Sequence, residues 1–165
     1  MKVKLDKLKE GENLLDYRDS PSILDLPEEN FSDPIILKGI VEKRGKNYYF
    51  KIEIETSGFF QCDRCLVRFK KDIRSSLFVI YSKEHYIQEE SRDNFYIIPD
   101  DEDEVDLSKD IRDEILLTLP IKLLCDEDCK GICAGCGADL NVEECRCRKD
   151  VIDPRWDVLK KIKFE

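Results

Sequence analysis

The sequence predicts an α+β protein: an antiparallel β-sheet with one packed helix, followed by a cysteine-rich C-terminal segment. Three observations carry this. Apolar runs of period two recur between Pro34 and Ser82. After them, Leu107, Ile111, Ile115 and Leu119 fall at helical spacing. Then six of the eight cysteines crowd into CDEDCKGICAGCGADLNVEECRC, from Cys125 to Cys147.

Taken in order, Val3 and Leu5 mark a short first strand. The polar stretch beyond them, with Pro21 and Pro27, shows neither period and is expected to be extended and irregularly packed. From Pro34 the pattern turns to β. PIILKGIV is one strand and Tyr48 to Glu55 (YYFKIEIE) the next, with Phe50, Ile52 and Ile54 on one face. RGKN between them reads as a four-residue hairpin loop containing Gly45. SGFFQCDRCLVRF continues the sheet through a reversal at its cysteine pair, and IRSSLFVIYS forms another strand. NFYIIP is a further short strand before the acidic DDEDEVD, which reads as an exposed loop. Asp106 is placed to cap the helix, and Pro120 ends it. Asp153-Pro154 then starts a short C-terminal helix, an acid at the cap with proline in the first turn. Trp156, Leu159 and Ile162 form its apolar side. The expected organisation is a single domain: a sheet-and-helix core over 1–119, with the cysteine-rich segment 120–165 packed on it.

Hydrophobic residues at 41% suffice for a modest core, while charged residues at 39% exceed the usual quarter. MKVKLDKLKE has too little apolar run for a signal peptide, and no stretch approaches a membrane span. The expected setting is therefore the reducing cytoplasm, where structural disulfides are rare. The net charge of −9 argues against a generic nucleic-acid binder, but the charge is unevenly spread. Residues 84–114 hold thirteen acids against three bases. Cys62 to Arg74 holds five bases against two acids, and Cys145 to Lys163 seven against three. Both basic segments adjoin cysteine pairs, although charge runs are ordinarily solvated surface. His85 is the sole histidine and sits away from every cysteine pair, as a surface or strand-end residue would. GxSxG, P-loop and Gly-rich dinucleotide signatures are all missing, so neither an enzyme nor a small-molecule substrate is expected.

The eight cysteines form four close pairs: Cys62/Cys65, Cys125/Cys129, Cys133/Cys136 and Cys145/Cys147. Four thiolates close a structural zinc site completely, and close pairs supply two ligands each without strain. Two zinc ions, each held by four cysteines, account for every cysteine, which makes the C-terminal segment zinc-binding. The last two pairs are close in sequence, so joining them is inexpensive in loop entropy. That leaves Cys62, Cys65, Cys125 and Cys129 as one site and Cys133, Cys136, Cys145 and Cys147 as the other. A competing arrangement joins Cys125, Cys129, Cys133 and Cys136, with Cys62, Cys65, Cys145 and Cys147 as its second site. One zinc with a quartet of free thiols is a third. Arg64, inside the first pair, reads as support for a tetrathiolate site, with phosphate contact the lesser alternative. Arg68, Lys70 and Lys71, with Arg146, Arg148 and Lys149, are the candidate RNA contacts. Strand alternation places Arg68 and Lys70 together, with Phe69 pointing inward.

With these residues in view, the chain resembles the YceD-like family of bacteria and plastids, named for accumulation of large-subunit ribosomal RNA. The resemblance rests on Cys62-Asp63-Arg64-Cys65-Leu66, the acidic loop and the helix ending Leu119-Pro120. It continues through CDEDCKGICAGCGADLN, Cys145-Arg146-Cys147 and Asp153-Pro154-Arg155 with Leu159. Ala134 stands where the family pattern leads one to expect proline. The resemblance implies a non-enzymatic cytoplasmic factor needed for 23S ribosomal RNA accumulation and large-subunit biogenesis. The partner it implies is the 23S precursor or a large-subunit ribosomal protein, with no membrane involved. Two other classes compete: a zinc/thiol redox switch, and electron transfer by iron in the second quartet.

Overall fold

In the computed structural model, residues 1–84 and 94–147 are described; His85, Arg148, Lys149 and the expected helix after Asp153-Pro154 lie outside them. The elements run β1 (Lys2–Lys4), β2 (Gly11–Asp19), a 3-10 turn (Pro21–Leu24), β3 (Ile35–Arg44), β4 (Asn47–Gln61), β5 (Arg68–Ser82), β6 (Phe95–Ile97), β7 (Glu104–Asp106) and α1 (Ser108–Thr118). The main sheet has the order β2-β3-β4-β5-β6, antiparallel except for the parallel β5–β6 pair. β1 and β7 pair separately. The class is α+β, as the alternation and the single helical period imply.

Alternation sets the register of the long β4–β5 hairpin, which pairs continuously from Asn47↔Ser82 to Gln61↔Arg68. Its inner face carries Phe50, Ile52 and Ile54 opposite Leu77 and Val79, all nearly free of solvent. Leu107, Ile111 and Ile115 of the helical segment close over this face and are fully buried. Each such side chain stabilises the fold by roughly 1.5–3 kcal/mol. β3 pairs with β4 only as far as Ile36↔Glu55, so the far end of the hairpin runs on as two strands and carries the CDRC turn.

Four local expectations are corrected. Residues 11–19 are extended as expected but not irregularly packed: they form edge strand β2, paired along its length with β3. The end of the acidic loop is strand β7, with Val105 buried and Val3 as its partner. The hairpin loop between β3 and β4 is two residues, Gly45 and Lys46, since Arg44 and Asn47 still pair. Gly45 has φ 58, the backbone a primed hairpin turn needs. Lastly, Leu107 occupies the helix cap position, one residue later than expected. The Asp106 carboxylate still accepts the Ser108 N–H at 2.9 Å. Leu119 ends α1 in an extended conformation, as the residue before a proline must.

Candidate metal centres

The first quartet is assembled at the hairpin tip. Cys62 N–H donates to Val67 O and Leu66 N–H to Cys62 O, both at 2.9 Å. Leu66 adopts φ 62, an uncommon backbone for leucine, held by those bonds and by Gln61 Nε2 on Leu66 O at 3.1 Å. Asp63 then clamps the segment arriving from α1. Its N–H donates to Leu123 O at 2.8 Å, and its carboxylate accepts Leu123 N–H at 2.7 Å. That clamp delivers Cys125 and Cys129 to the turn. Arg64 donates to Cys129 O at 2.7 Å and Glu127 O at 3.2 Å, supporting the second ligand loop. Cys62 and Cys129 sulfurs lie 3.8 Å apart and Cys65 and Cys125 sulfurs 3.5 Å apart.

The second quartet is built on a tight turn. Cys133 N–H donates to Ala138 O at 2.8 Å and Gly137 N–H to Cys133 O at 2.9 Å. Gly137 has φ 73, which favours glycine. Gly135 is needed for close approach, since a Cβ there would lie 2.6 Å from Cys147 Sγ. Cys133 sulfur lies 3.4 Å from that of Cys145 and 3.7 Å from that of Cys147, with Cys136 and Cys145 at 3.9 Å. Cys62, Cys65 and Cys129 are buried, whereas Cys136, Cys145 and Cys147 are exposed.

Within each quartet all four sulfurs lie within 4.8 Å of one another, and either quartet could hold a metal ion. Neither of the two other groupings of cysteine pairs is formed. The chemistry of the donors fits a thiophilic divalent cation. Tetrahedral geometry with metal–sulfur bonds of about 2.3 Å sets sulfurs roughly 3.8 Å apart, close to the distances above. All eight cysteines are free of disulfides. Burial works against a thiolate at Cys62, yet the backbone groups of Cys65, Cys125 and Arg64 outweigh it and bring the thiol down to about 6. The backbone of Cys136 and Gly135 likewise lowers Cys133 to about 6. In the same quartets, the neighbouring Cys65 sulfur and burial push Cys125 up to about 12, and Cys133 and Cys145 push Cys147 to about 12. Four thiols this close cannot all ionise unaided; a bound divalent charge removes the conflict.

Two supporting residues escaped the sequence reading. Asp63 is the clamp described above. Asn141 Nδ2 lies 3.5 Å from Cys129 Sγ while its Oδ1 accepts Lys130 N–H at 2.7 Å, so a residue between the pairs of the second quartet contacts the first. No spacing signalled either, because their partners are distant in sequence or belong to the backbone.

The basic candidates are not equivalent. Arg68 and Lys70 share the outer face of β5, and Lys70 pairs with Asp33 at 2.6 Å. Lys71 lies on the opposite face, half-buried. Arg146 pairs with Glu143.

Residues 50–163 match the family described as large ribosomal RNA subunit accumulation protein YceD. The chain belongs to the YceD family. Both quartets and the outer-face cations lie inside that match, and the family takes its name from accumulation of large-subunit ribosomal RNA, not from a reaction. Its YceD relatives include the chloroplastic large ribosomal RNA subunit accumulation protein YCED homolog 1 of Arabidopsis thaliana, 41% identical over 61 residues, or 37% of this chain and 19% of that protein. The homolog 1 of Zea mays is 46% identical over 46 residues, 27% of this chain and 16% of its own length. The chain thus spans under a fifth of these plastid proteins. YlbN of Bacillus subtilis is 27% identical over 132 residues, covering 78% of this chain and 74% of its own. No solved structure matches. Among the described residues, no helix is long and apolar enough to cross a membrane.

Proposed function

We propose that the protein is a non-enzymatic, two-zinc factor that supports 23S ribosomal RNA accumulation and large-subunit assembly in the cytoplasm. The observation that carries this reading is that the family match, residues 50–163, contains both cysteine quartets. Zinc is favoured because it takes four thiolates without redox chemistry and closes the site. Such sites leave no position for a reacting water, so their work is to fix a surface. The partner is the 23S precursor or a large-subunit ribosomal protein. Arg68 and Lys70 on the outer face meet it first, with Arg146 and, next to Cys147 in the sequence, Arg148 and Lys149 as further contacts.

The test is a strain that depends on the variant chain. Replacing Arg68 and Lys70 together by glutamate leaves both metals bound, because these side chains are exposed on the outer face. It lowers the ratio of 23S to 16S ribosomal RNA. An unchanged ratio rejects this surface, and an unchanged ratio in Cys62→Ser and Cys145→Ser strains as well rejects the biogenesis role itself.

A further inference from the structure

The outer face of the sheet presents a large aromatic residue that the core does not use. Alternation turns Phe50, Ile52, Ile54 and Phe60 inward, so Phe59 faces out and is 36% exposed. Its register partner is Lys70, and Arg68 is the diagonal neighbour. The Arg68 guanidinium carbon lies 5.5 Å from the centre of the Phe59 ring, and the Lys70 ammonium 6.0 Å from it. A second tie, from Arg68 to Glu29 O at 2.7 Å, fixes the guanidinium in place. Among the described residues Arg68 has no carboxylate partner, whereas Lys70 pairs with Asp33, Arg74 with Glu55 and Arg146 with Glu143.

Beside the ring opens a cleft of about 360 Å³, lined by Glu29, Asn30, Phe59, Gln61, Leu66 and Arg68. That is the small end of ligand sites, suited to one heterocycle and far too small for a duplex. Two amides edge it with unused capacity. The side chain of Asn30 makes no hydrogen bond among the described residues, and that of Gln61 makes one, to Leu66 O.

We propose that this cleft takes one unpaired base of a single-stranded RNA, stacked on the Phe59–Arg68 pair with its edge toward Asn30 and Gln61. The proposal rests on the reading above that the partner is RNA, and it names the element contacted. Aromatic rings and arginine planes are how proteins hold splayed bases, and amides read their edges. A bare phosphate is a poorer occupant, because Glu29 lines the cleft and Asp33 already neutralises Lys70. An extended peptide is poorer too. On the cleft's side the edge of β4 already meets the segment before β3, with Phe59 N–H donating to Asn30 O at 2.8 Å, so that backbone group is not free to add a strand. One wall, Leu66, is held in its unusual backbone by the turn carrying Cys62 and Cys65, which links the first metal centre to the cleft.

The experiment uses the full zinc-loaded chain and fluorescence anisotropy with labelled short RNA homopolymers of each base, single-stranded and as duplex. Stacking of one base is worth roughly 1–3 kcal/mol, about 5- to 150-fold in affinity. Phe59→Leu, which keeps an apolar side chain but no ring, therefore weakens the best single-stranded probe by at least fivefold. Phe59→Trp keeps or strengthens it, and duplex binds worse than single strand. Thermal melting and zinc content of the variants match the parent, and since Phe59 is partly exposed the leucine variant folds even if Phe59→Ala does not. Parent-like binding by Phe59→Leu, or equal binding of duplex, overturns the cleft. If Arg68→Glu alone then weakens binding, the basic surface of the proposed function survives without it. If the parent binds no RNA probe at all, the cleft and the RNA arm of that function both fail, leaving a ribosomal protein as the partner.

Discussion

Cys62→Ser is expected to unfasten the far end of the β4–β5 hairpin, whereas Cys145→Ser leaves it intact. Cys62 is 0% exposed, and its quartet ties that end to the segment around Leu123, 60 residues away. Serine loses a thiolate whose formation the backbone groups of Cys65, Cys125 and Arg64 favour. Each buried donor left without an acceptor costs about 1–3 kcal/mol. Weakening a metal that contributes on the order of 10 kcal/mol adds to that. Even a loss of about 3 kcal/mol raises the opening equilibrium of this unit roughly 100-fold. The effect is confined to residues 56–74 and 119–133, because the middle of the hairpin rests on Phe50, Ile52 and Ile54 instead. Cys145 is exposed, and its partners Cys133 and Cys136 lie in the same short segment. Its loss is felt only from about residue 131 onward. Hydrogen–deuterium exchange of the two zinc-loaded variants reads the difference segment by segment. Equal loss of protection over 56–74 in both variants, or none in either, would refute the division of labour.

Anaerobically purified protein is expected to carry two zinc ions per chain, one for each quartet; elemental analysis showing stoichiometric iron, or a coloured preparation, rules zinc out. A separate prediction concerns Tyr81 and Tyr96, whose hydroxyls donate to the two oxygens of Asp110 at 3.1 and 2.7 Å. The Asp110 hydrogen bond pushes Tyr96 up to about 12, and burial pushes Tyr81 up as well. Both phenols are raised above the unfolded value of about 10, so their stabilisation is present below that pH and is lost as pH rises, through about 12 for Tyr96 and higher still for Tyr81. Spectrophotometric titration of Asp110→Asn is expected to show Tyr96 ionising earlier; a profile unchanged from the parent defeats the assignment.

The legible parts of this sequence are those whose signal is local. Alternation in YYFKIEIE marks β4 because one face is buried, and the spacing of Leu107, Ile111 and Ile115 marks α1 for the same reason. β2 escaped because an edge strand has no such need: its Leu14 is 91% exposed, so GENLLDYRD shows no period. β7 escaped because Val105 alone of its three residues is buried, and its pairing with β1 is remote in sequence. The grouping of the quartets was readable from loop length, yet the clamp at Asp63 and the bridge at Asn141 were not. Phe59 had a usable signal. The parity that turns Phe50, Ile52 and Ile54 inward turns Phe59 outward, and a large ring facing solvent between basic positions asks for a reason. The same parity separates Lys71 from Arg68 and Lys70.

How a metal centre could assist an RNA surface is constrained by charge. Four thiolates around a divalent ion carry a formal charge of −2, whereas four protonated thiols carry none. Loading both quartets makes an already acidic chain more negative, so metal cannot act here by attracting phosphate. What it can do is hold shape. The turn at Cys62 and Cys65 keeps Leu66 in a backbone conformation leucine rarely adopts, and Leu66 lines the cleft together with Phe59, Gln61 and Arg68. Metal loss would release that wall while relieving negative charge. An interaction driven by general electrostatics would then strengthen, and one that needs the built cleft would weaken. The net negative charge of the chain favours the second kind, because it disfavours indiscriminate binding to backbone phosphates and, on the proposed reading, leaves recognition to an unpaired base. On the proposed reading, the first cysteine quartet and the aromatic on the outer face form one device, in which the metal supplies geometry and the ring supplies contact.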